Sequence, residues 1–253
     1  MDIVIIGSGN VAAALGRKFR AAGHHIVQLY SRNTSAASKL AYEWDTESTN
    51  YKSLINKNAD VYLVAVNDDA IHDVTADLYL PGKVVAHTAA SVPKEALKKV
   101  TAHYGVFYPL QSLRKEMLSP PDIPVFFDGS DEVTKRNLER LARSISTENV
   151  TEAGDNARMK LHVAAVLVSN FTNHLYKLAE DYCRKEGLDF KQLLPLIEET
   201  ALRLKTTSAA AAQTGPAMRH DKETIQKHLS LLDAHPQLKN MYLLLTESIQ
   251  QNK

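Results

Sequence analysis

The sequence predicts an α/β protein with a doubly wound parallel sheet first and an all-helical domain after it. Three observations carry that prediction. Short, β-rich apolar runs alternate with helix-like stretches up to about Val150. A glycine-rich turn, Gly7-Ser8-Gly9-Asn10-Val11-Ala12, follows the first of those runs. Beyond Gly154 the strand-like runs stop and only helical periodicity remains. The expected division is therefore 1–153 and 154–253.

The apolar runs are Ile3–Ile6, Ile26–Tyr30, Val61–Val66, Lys83–Ala86, Val106–Tyr108 and Val125–Phe127. Several lack polar alternation, as strands covered on both faces do. Between them lie helical stretches at Val11–Ala22, Ala36–Glu43, Ala70–Leu80 and Glu132–Ile145. Asn156 to Lys185 reads as one long helix closed by Gly187. Its segment LHVAAVLVSNFTNHLY is apolar on all sides, which predicts a centrally buried helix. Asp189 can cap a second helix, in which Pro195 predicts a break or kink. Asp221 can cap a third running to Ala234, and Pro236 stands near the start of the last.

Of the 253 residues, 44% are hydrophobic, ample for one large core or two smaller ones. Thirty basic residues against 29 acidic give a net charge of +1, so neither nucleic acid nor an anionic membrane is an expected partner. Cys183 is the single cysteine, which excludes an intramolecular disulfide and suits a reducing compartment. No apolar stretch approaches the ~20 residues of a membrane span, and Met1-Asp2-Ile3 offers no basic leader. A soluble cytoplasmic protein is expected. The histidines show no metal spacing, no Gly-x-Ser-x-Gly elbow is present, and Tyr51 and Lys52 are adjacent and so do not give the Tyr-x-x-x-Lys spacing.

Each position of the opening motif has a physical task. Gly7 permits the tight turn, Gly9 lets a pyrophosphate approach the backbone, and Ala12 allows close helix–strand packing. The helix beginning there offers bare N–H groups and the positive end of its dipole. A Rossmann-type site is thus expected, with Gly7, Ser8, Gly9, Asn10 and Val11 around the phosphates; a tight turn without ligand is the bland alternative. Ser31 follows Ala12 by 19 residues, near the ~20-residue offset where an acid would bind the ribose of NAD. No acid stands there. Ser31, Arg32, Asn33 and Thr34 instead suit a 2′-phosphate, so NADP(H) is expected, an ordinary polar loop being the other reading.

Ligands of open α/β sheets bind beyond the carboxyl ends of the strands. Val66, Asn67, His87 and Thr88 fall there as contacts for the nicotinamide end, and Gln111 and Ser112 as substrate contacts. Each could equally be a turn or capping residue. On the long helix, His162, Ser169 and Asn173 lie within roughly 20° of one line, with Asn170 about 80° away, if the helix is α throughout. That stripe can face a cleft between the halves or serve helix–helix hydrogen bonds. His162 is expected to give or take the proton, with Asn170 orienting the reacting atom. Lys160, about 200° around from His162, ranks behind it. Arg219 could bind an acidic substrate group or cap a helix.

Taken together, GSGNVA, HTAAS, YPLQS, HVAAVLVSN and TGPAMRHD resemble bacterial proteins that join a Rossmann-like domain to a DUF2520 domain. That family is regarded as NADP oxidoreductases related to pyrroline-5-carboxylate reductase and the 6-phosphogluconate dehydrogenase-like enzymes, and it has no established substrate. The resemblance covers nearly the whole chain. Its patterns land on His162, Ala164, Ala165, Ser169 and Asn170, and on Thr214, Gly215, Pro216, Arg219 and Asp221. This sequence departs with Tyr108 in place of histidine, Ala89-Ala90 in place of Ser-Gly and His220 in place of glycine. The expected function is an NADP(H)-dependent oxidoreductase that moves hydride to or from a small carbonyl, imine or hydroxy-acid substrate held between the domains. The alternatives are an NADP(H)-sensing binding protein without catalysis and a deazaflavin as hydride partner. Relatives commonly dimerise through the helical domain, so a homodimer through Lys191–Leu204 and Gln237–Ile249 is expected.

Overall fold

The computed structural model describes residues 1–119, 121–147 and 149–251. The chain divides into two compact units, Met1–Ser169 and Asn170–Lys253. In the first, eight strands follow in chain order: β1 (Asp2–Ile6), β2 (His25–Tyr30), β3 (Glu47–Thr49), β4 (Val61–Val64), β5 (Val84–His87), β6 (Tyr104–Pro109), β7 (Val125–Gly129) and β8 (Val150–Glu152). They form one sheet in the order β3-β2-β1-β4-β5-β6-β7-β8. Interleaved are helices α1 (Asn10–Ala21), α2 (Thr34–Trp44), α3 (Ile71–Thr75) and α4 (Glu132–Ile145).

Both faces of the sheet are apolar because successive side chains of a strand point to opposite sides. Ile3 and Ile5 enter one core with Leu15, Phe19 and Phe107, whereas Val4 and Ile6 enter the other with Tyr62, Ile71 and Leu97. Each such buried side chain contributes roughly 1.5–3 kcal/mol. On α1 the residues Ala12, Ala13, Ala14, Leu15, Gly16 and Phe19 are buried. A Cβ on Gly16 would lie 2.4 Å from the Trp44 ring, so glycine there lets α2 close onto α1.

Three departures from the expected pattern have physical causes. The sheet is not wholly parallel, since β7 runs antiparallel to β6. No helix among the described residues joins them, and a parallel return needs a long crossover. The three-residue edge strands β3 and β8 are too short to show a period. Finally, α3 stops at Thr75 instead of reaching Leu80, and Thr75 Oγ1 donates back to the Ile71 carbonyl at 2.7 Å, an arrangement that competes with helix continuation.

The long helical run divides into α5 (Asp155–Ala165), a π-helical turn (Val166–Phe171) and α6 (Thr172–Lys185). Contrary to expectation it is not centrally buried: Val163 is 54% exposed, Val168 74% and Phe171 57%. All-round apolarity shows that a helix favours burial, not that its own chain supplies the cover. The π turn also invalidates the α-helical wheel that aligned His162 with Ser169 and Asn173, because i→i+5 bonding shifts every later side chain around the axis.

After Gly187, whose φ is +71°, come α7 (Leu194–Arg203), α8 (Ala209–Ala212), α9 (Lys222–Leu231) and α10 (Pro236–Gln251). Pro195 lies in the first turn of α7 and starts that helix instead of breaking one. Asp189 caps a short 3-10 turn at Phe190–Leu193, and Asp221 caps α9, accepting from Thr224 N at 3.0 Å; α9 ends three residues before Ala234. Among the described residues, α7 to α10 contain no buried side chain, while Leu196, Leu202, Leu204, Leu231 and Leu244 are all more than half exposed. No helix of the described residues is long and apolar enough to cross a membrane.

Candidate active site

The strand order reverses direction at β1, which leaves β1 for β2 on one side and has β4 on the other. Open sheets place their ligand crevice at such a point. Gly7 ends β1 with φ +129°, and a Cβ there would stand 2.1 Å from the Ala65 carbonyl oxygen just beyond β4. Glycine is required by both its backbone angle and that contact. Gly9 is different: its backbone is extended, and a Cβ would meet nothing within 4 Å. The chain's own packing therefore leaves open space beside Gly9. Next to that space α1 begins with no side-chain cap and no acid in its first turn. Bare N–H groups, a positive dipole end and an open approach together fit a dinucleotide's phosphates.

Ser8 and Ser31 join the glycine turn to the end of β2 through an Oγ···Oγ contact of 2.8 Å. Ser31 is buried and also accepts from the Asn33 N–H at 3.1 Å. The side chain of Asn33 caps α2, accepting from Ala36 N at 3.0 Å. Arg32 is exposed and engages no partner among the described residues. Of the four residues expected around a 2′-phosphate, Arg32 is thus the free cation and Asn33 is committed to its helix.

Farther along the same edge, Thr88 N donates to the Val64 carbonyl at 3.1 Å, and the Ser91 hydroxyl donates to the Asp68 carboxylate that follows Asn67. Val66 is half-buried beside Gly7. His87 lies wholly beneath the surface. It donates from Nε2 to the Pro93 carbonyl at 3.3 Å and accepts at Nδ1 from Ala89 N at 3.3 Å. Burial pushes its pKa down to about 4, so the ring is neutral.

Two of the titratable groups meet as a phenol–imidazole pair, Tyr108 with His162. The phenol oxygen lies 3.1 Å from Nδ1, and the rings meet edge to face with centroids 6.2 Å apart. Tyr108 is buried at the end of β6, and desolvation raises its pKa, with Asp68 adding to the rise and Arg158 opposing it. His162 is half-buried. A phenol paired with an imidazole can hold a proton and exchange it with a reacting atom.

Arg158, one helical turn before His162, has no counterpart in the sequence-based expectations. It is 1% exposed and donates from Nε to the Ala90 carbonyl at 3.1 Å and from Nη2 to the Val92 carbonyl at 2.7 Å. Nη2 also reaches Asp155 Oδ1 at 2.6 Å, while Nη1 is buried without a partner. Lys94 adds a 2.7 Å ion pair to buried Asp128. These bonds fasten residues 90–94 to α5 and β7 and so fix the side of the sheet edge where Tyr108 meets His162. An arginine three residues after an aspartate at the start of the long helix was the available signal.

Gln111 and Ser112 sit in the exposed connection after β6, with Gln111 Oε1 accepting from Ser112 N at 2.9 Å. Lys160 is exposed. Asn170 and Arg219 are exposed residues of the second unit, Asn170 within the π turn two helical turns beyond His162. His220, which replaces a glycine of the resembled pattern, has φ +54°, the left-handed conformation that glycine adopts most easily.

Comparison with known proteins agrees with this geometry. Residues 2–91 match the family model described as NADP oxidoreductase coenzyme F420-dependent, and residues 123–249 match the domain of unknown function DUF2520. The crystal structure of an inferred NADP oxidoreductase from Bacteroides fragilis is similar with a TM-score of 0.88 and 36% identity, over 99% of this chain and 98% of that one. A pyrroline-5-carboxylate reductase from Streptococcus pyogenes gives a TM-score of 0.63 at 13% identity, over 99% and 98% of the two chains. An imine reductase from Myxococcus stipitatus in complex with NADP+ gives 0.63 at 14%, over 99% and 92%. Those last two show the fold alone. No curated protein matches the chain.

Proposed function

The chain belongs to the family of NADP oxidoreductases that join a Rossmann-type domain to a DUF2520 domain, and from that premise we propose an NADP(H)-dependent enzyme that moves hydride to a small imine or carbonyl, or from a small hydroxy acid. The observation that carries the cofactor choice is the open space at Gly9 beside an uncapped α1, with the unpaired Arg32 beyond β2 where an acid is absent. When bound, the nicotinamide would give the hydride to an imine or carbonyl, or take it from a hydroxy acid. Gly7 to Val11 hold the phosphates, Ser31 and Arg32 the 2′-phosphate, and Val66, Asn67 and Thr88 border the ring end. The His162 imidazole supplies or removes the proton, and Tyr108 fixes that ring through Nδ1. Imine and pyrroline-5-carboxylate reductases of the same fold support a C=N or C=O bond as the acceptor.

A second reading replaces the organic acceptor with a deazaflavin, which the description of the matched family model favours. An assay of NADPH oxidation with a deazaflavin and with small imines in parallel separates the two. The partner is a second copy of the chain, a reading supported by helices α7, α9 and α10, which carry leucines without burying them.

Calorimetric titration with NADPH and NADH tests the cofactor assignment. NADPH is expected to bind more tightly, and Arg32→Ala to reduce that advantage by about tenfold or more, the worth of one charge-assisted contact. Equal affinity for the two nucleotides, unchanged in the variant, overturns the 2′-phosphate assignment.

A further inference from the structure

The connection between β6 and β7 crosses α1, and we propose that Lys115 on it supplies the positive charge that the glycine turn lacks for the cofactor's pyrophosphate. This rests on the dinucleotide reading above and adds a binding residue to it.

The charge requirement comes first. A pyrophosphate brings two negative charges, whereas a helix N-terminus offers only about half a positive one. Residues 1–16 contain no lysine or arginine. The first cation on α1, Arg17, is already engaged. Its Nε and Nη2 reach the two Glu43 carboxylate oxygens at 2.6 and 2.8 Å, and burial leaves its side chain 12% exposed.

The remaining Arg17 nitrogen holds the connection in place. Nη1 donates to the carbonyl oxygens of Lys115 at 2.6 Å and Met117 at 3.0 Å. At the other end, the Lys115 N–H donates to Asn10 Oδ1 at 3.2 Å, and Asn10 is the first residue of α1. Residue 115 is therefore pinned by its N–H beside residue 10 and by its carbonyl to residue 17. Its flexible four-carbon stem can carry the ammonium over Gly9 and the first turn. Among the described residues that ammonium has no hydrogen bond or ion pair, and the side chain is exposed. The neighbouring acid, Glu116, adds its field to Arg17. Asn10, expected from the sequence to contact phosphate, acts through this tether: its side chain positions a cation.

Three probes separate the parts of the cofactor: NADPH, ADP, which keeps the pyrophosphate, and adenosine 2′-monophosphate, which lacks it. Lys115→Ala is expected to weaken NADPH and ADP about tenfold and to leave adenosine 2′-monophosphate unchanged; Lys115→Arg is expected to retain binding. Arg32→Ala should weaken NADPH and adenosine 2′-monophosphate and spare ADP. Because the Lys115 ammonium makes no hydrogen bond or ion pair among the described residues, the thermal midpoint of Lys115→Ala should match the wild type, and a lowered midpoint overturns the placement. Wild-type affinity of Lys115→Ala for both NADPH and ADP overturns the proposal while the cofactor reading stands. If the wild-type chain binds none of the three probes, the cofactor reading fails and takes the proposal with it.

Discussion

His87 illustrates how far one side chain's chemistry depends on where the fold puts it. The sequence places it at a strand end, where a cofactor contact is a reasonable expectation; the structure seals it beneath the loop 88–93 with both nitrogens engaged. Its folded pKa of about 4 lies below the usual 6.5, so between those values the unfolded chain binds the extra proton. Stability is therefore full above about pH 6.5 and falls as the pH drops toward 4, by about 3 kcal/mol across the window. Urea unfolding at several pH values should show that loss in the wild type and a much flatter profile in His87→Asn. An equally steep profile in the variant removes His87 as the cause. Tyr108 makes the converse point. The absence of an expected histidine looked like a missing functional group, yet the phenol finds His162 across a strand and a helix 54 positions apart.

At the scale of elements, the turn between β1 and α1 contains two glycines in different surroundings. Gly7 is required by the protein's own packing, whereas a Cβ on Gly9 would meet nothing within 4 Å. Gly7→Ala should destabilise the chain by several kcal/mol, since a methyl group would overlap the Ala65 carbonyl in a backbone region unfavourable to alanine. Gly9→Ala should leave the thermal midpoint within a degree or two and yet weaken NADPH binding, because its backbone angles suit any residue. A Gly9→Ala protein that binds NADPH as tightly as the wild type would falsify the cradle. The motif was legible in the sequence because strand, turn and helix are consecutive. By contrast, the polar stripe along Asn156–Lys185 was misread, because no local signal announces a π turn and a single one rotates every residue after it.

For the whole molecule, the second unit poses the packing problem most sharply. Its buried side chains among the described residues include Leu178, Cys183, Ala217, Leu232 and His235, few for a unit in which α7, α9 and α10 display leucines to solvent. A second copy covering α7 and α10, as proposed above, would resolve it, and light scattering should then give the mass of a dimer. Replacing Leu243 and Leu244 on α10 with glutamate should shift the protein to monomer or cause loss of the helical unit's fold; a wild-type monomer of undiminished stability rules the dimer out. The sequence by itself determined the α/β class, the central strands, the glycine turn that opens α1 and the absence of an acid after β2. Each of those signals lies within a short segment, where period, propensity and turn chemistry act between near neighbours. Only the tertiary structure decided that β7 turns back antiparallel, that Arg158 and His87 are buried, that Tyr108 meets His162 and that Lys115 is tethered to α1. Those outcomes depend on which distant surfaces come together, and burial, charge pairing and desolvation have no value until they do.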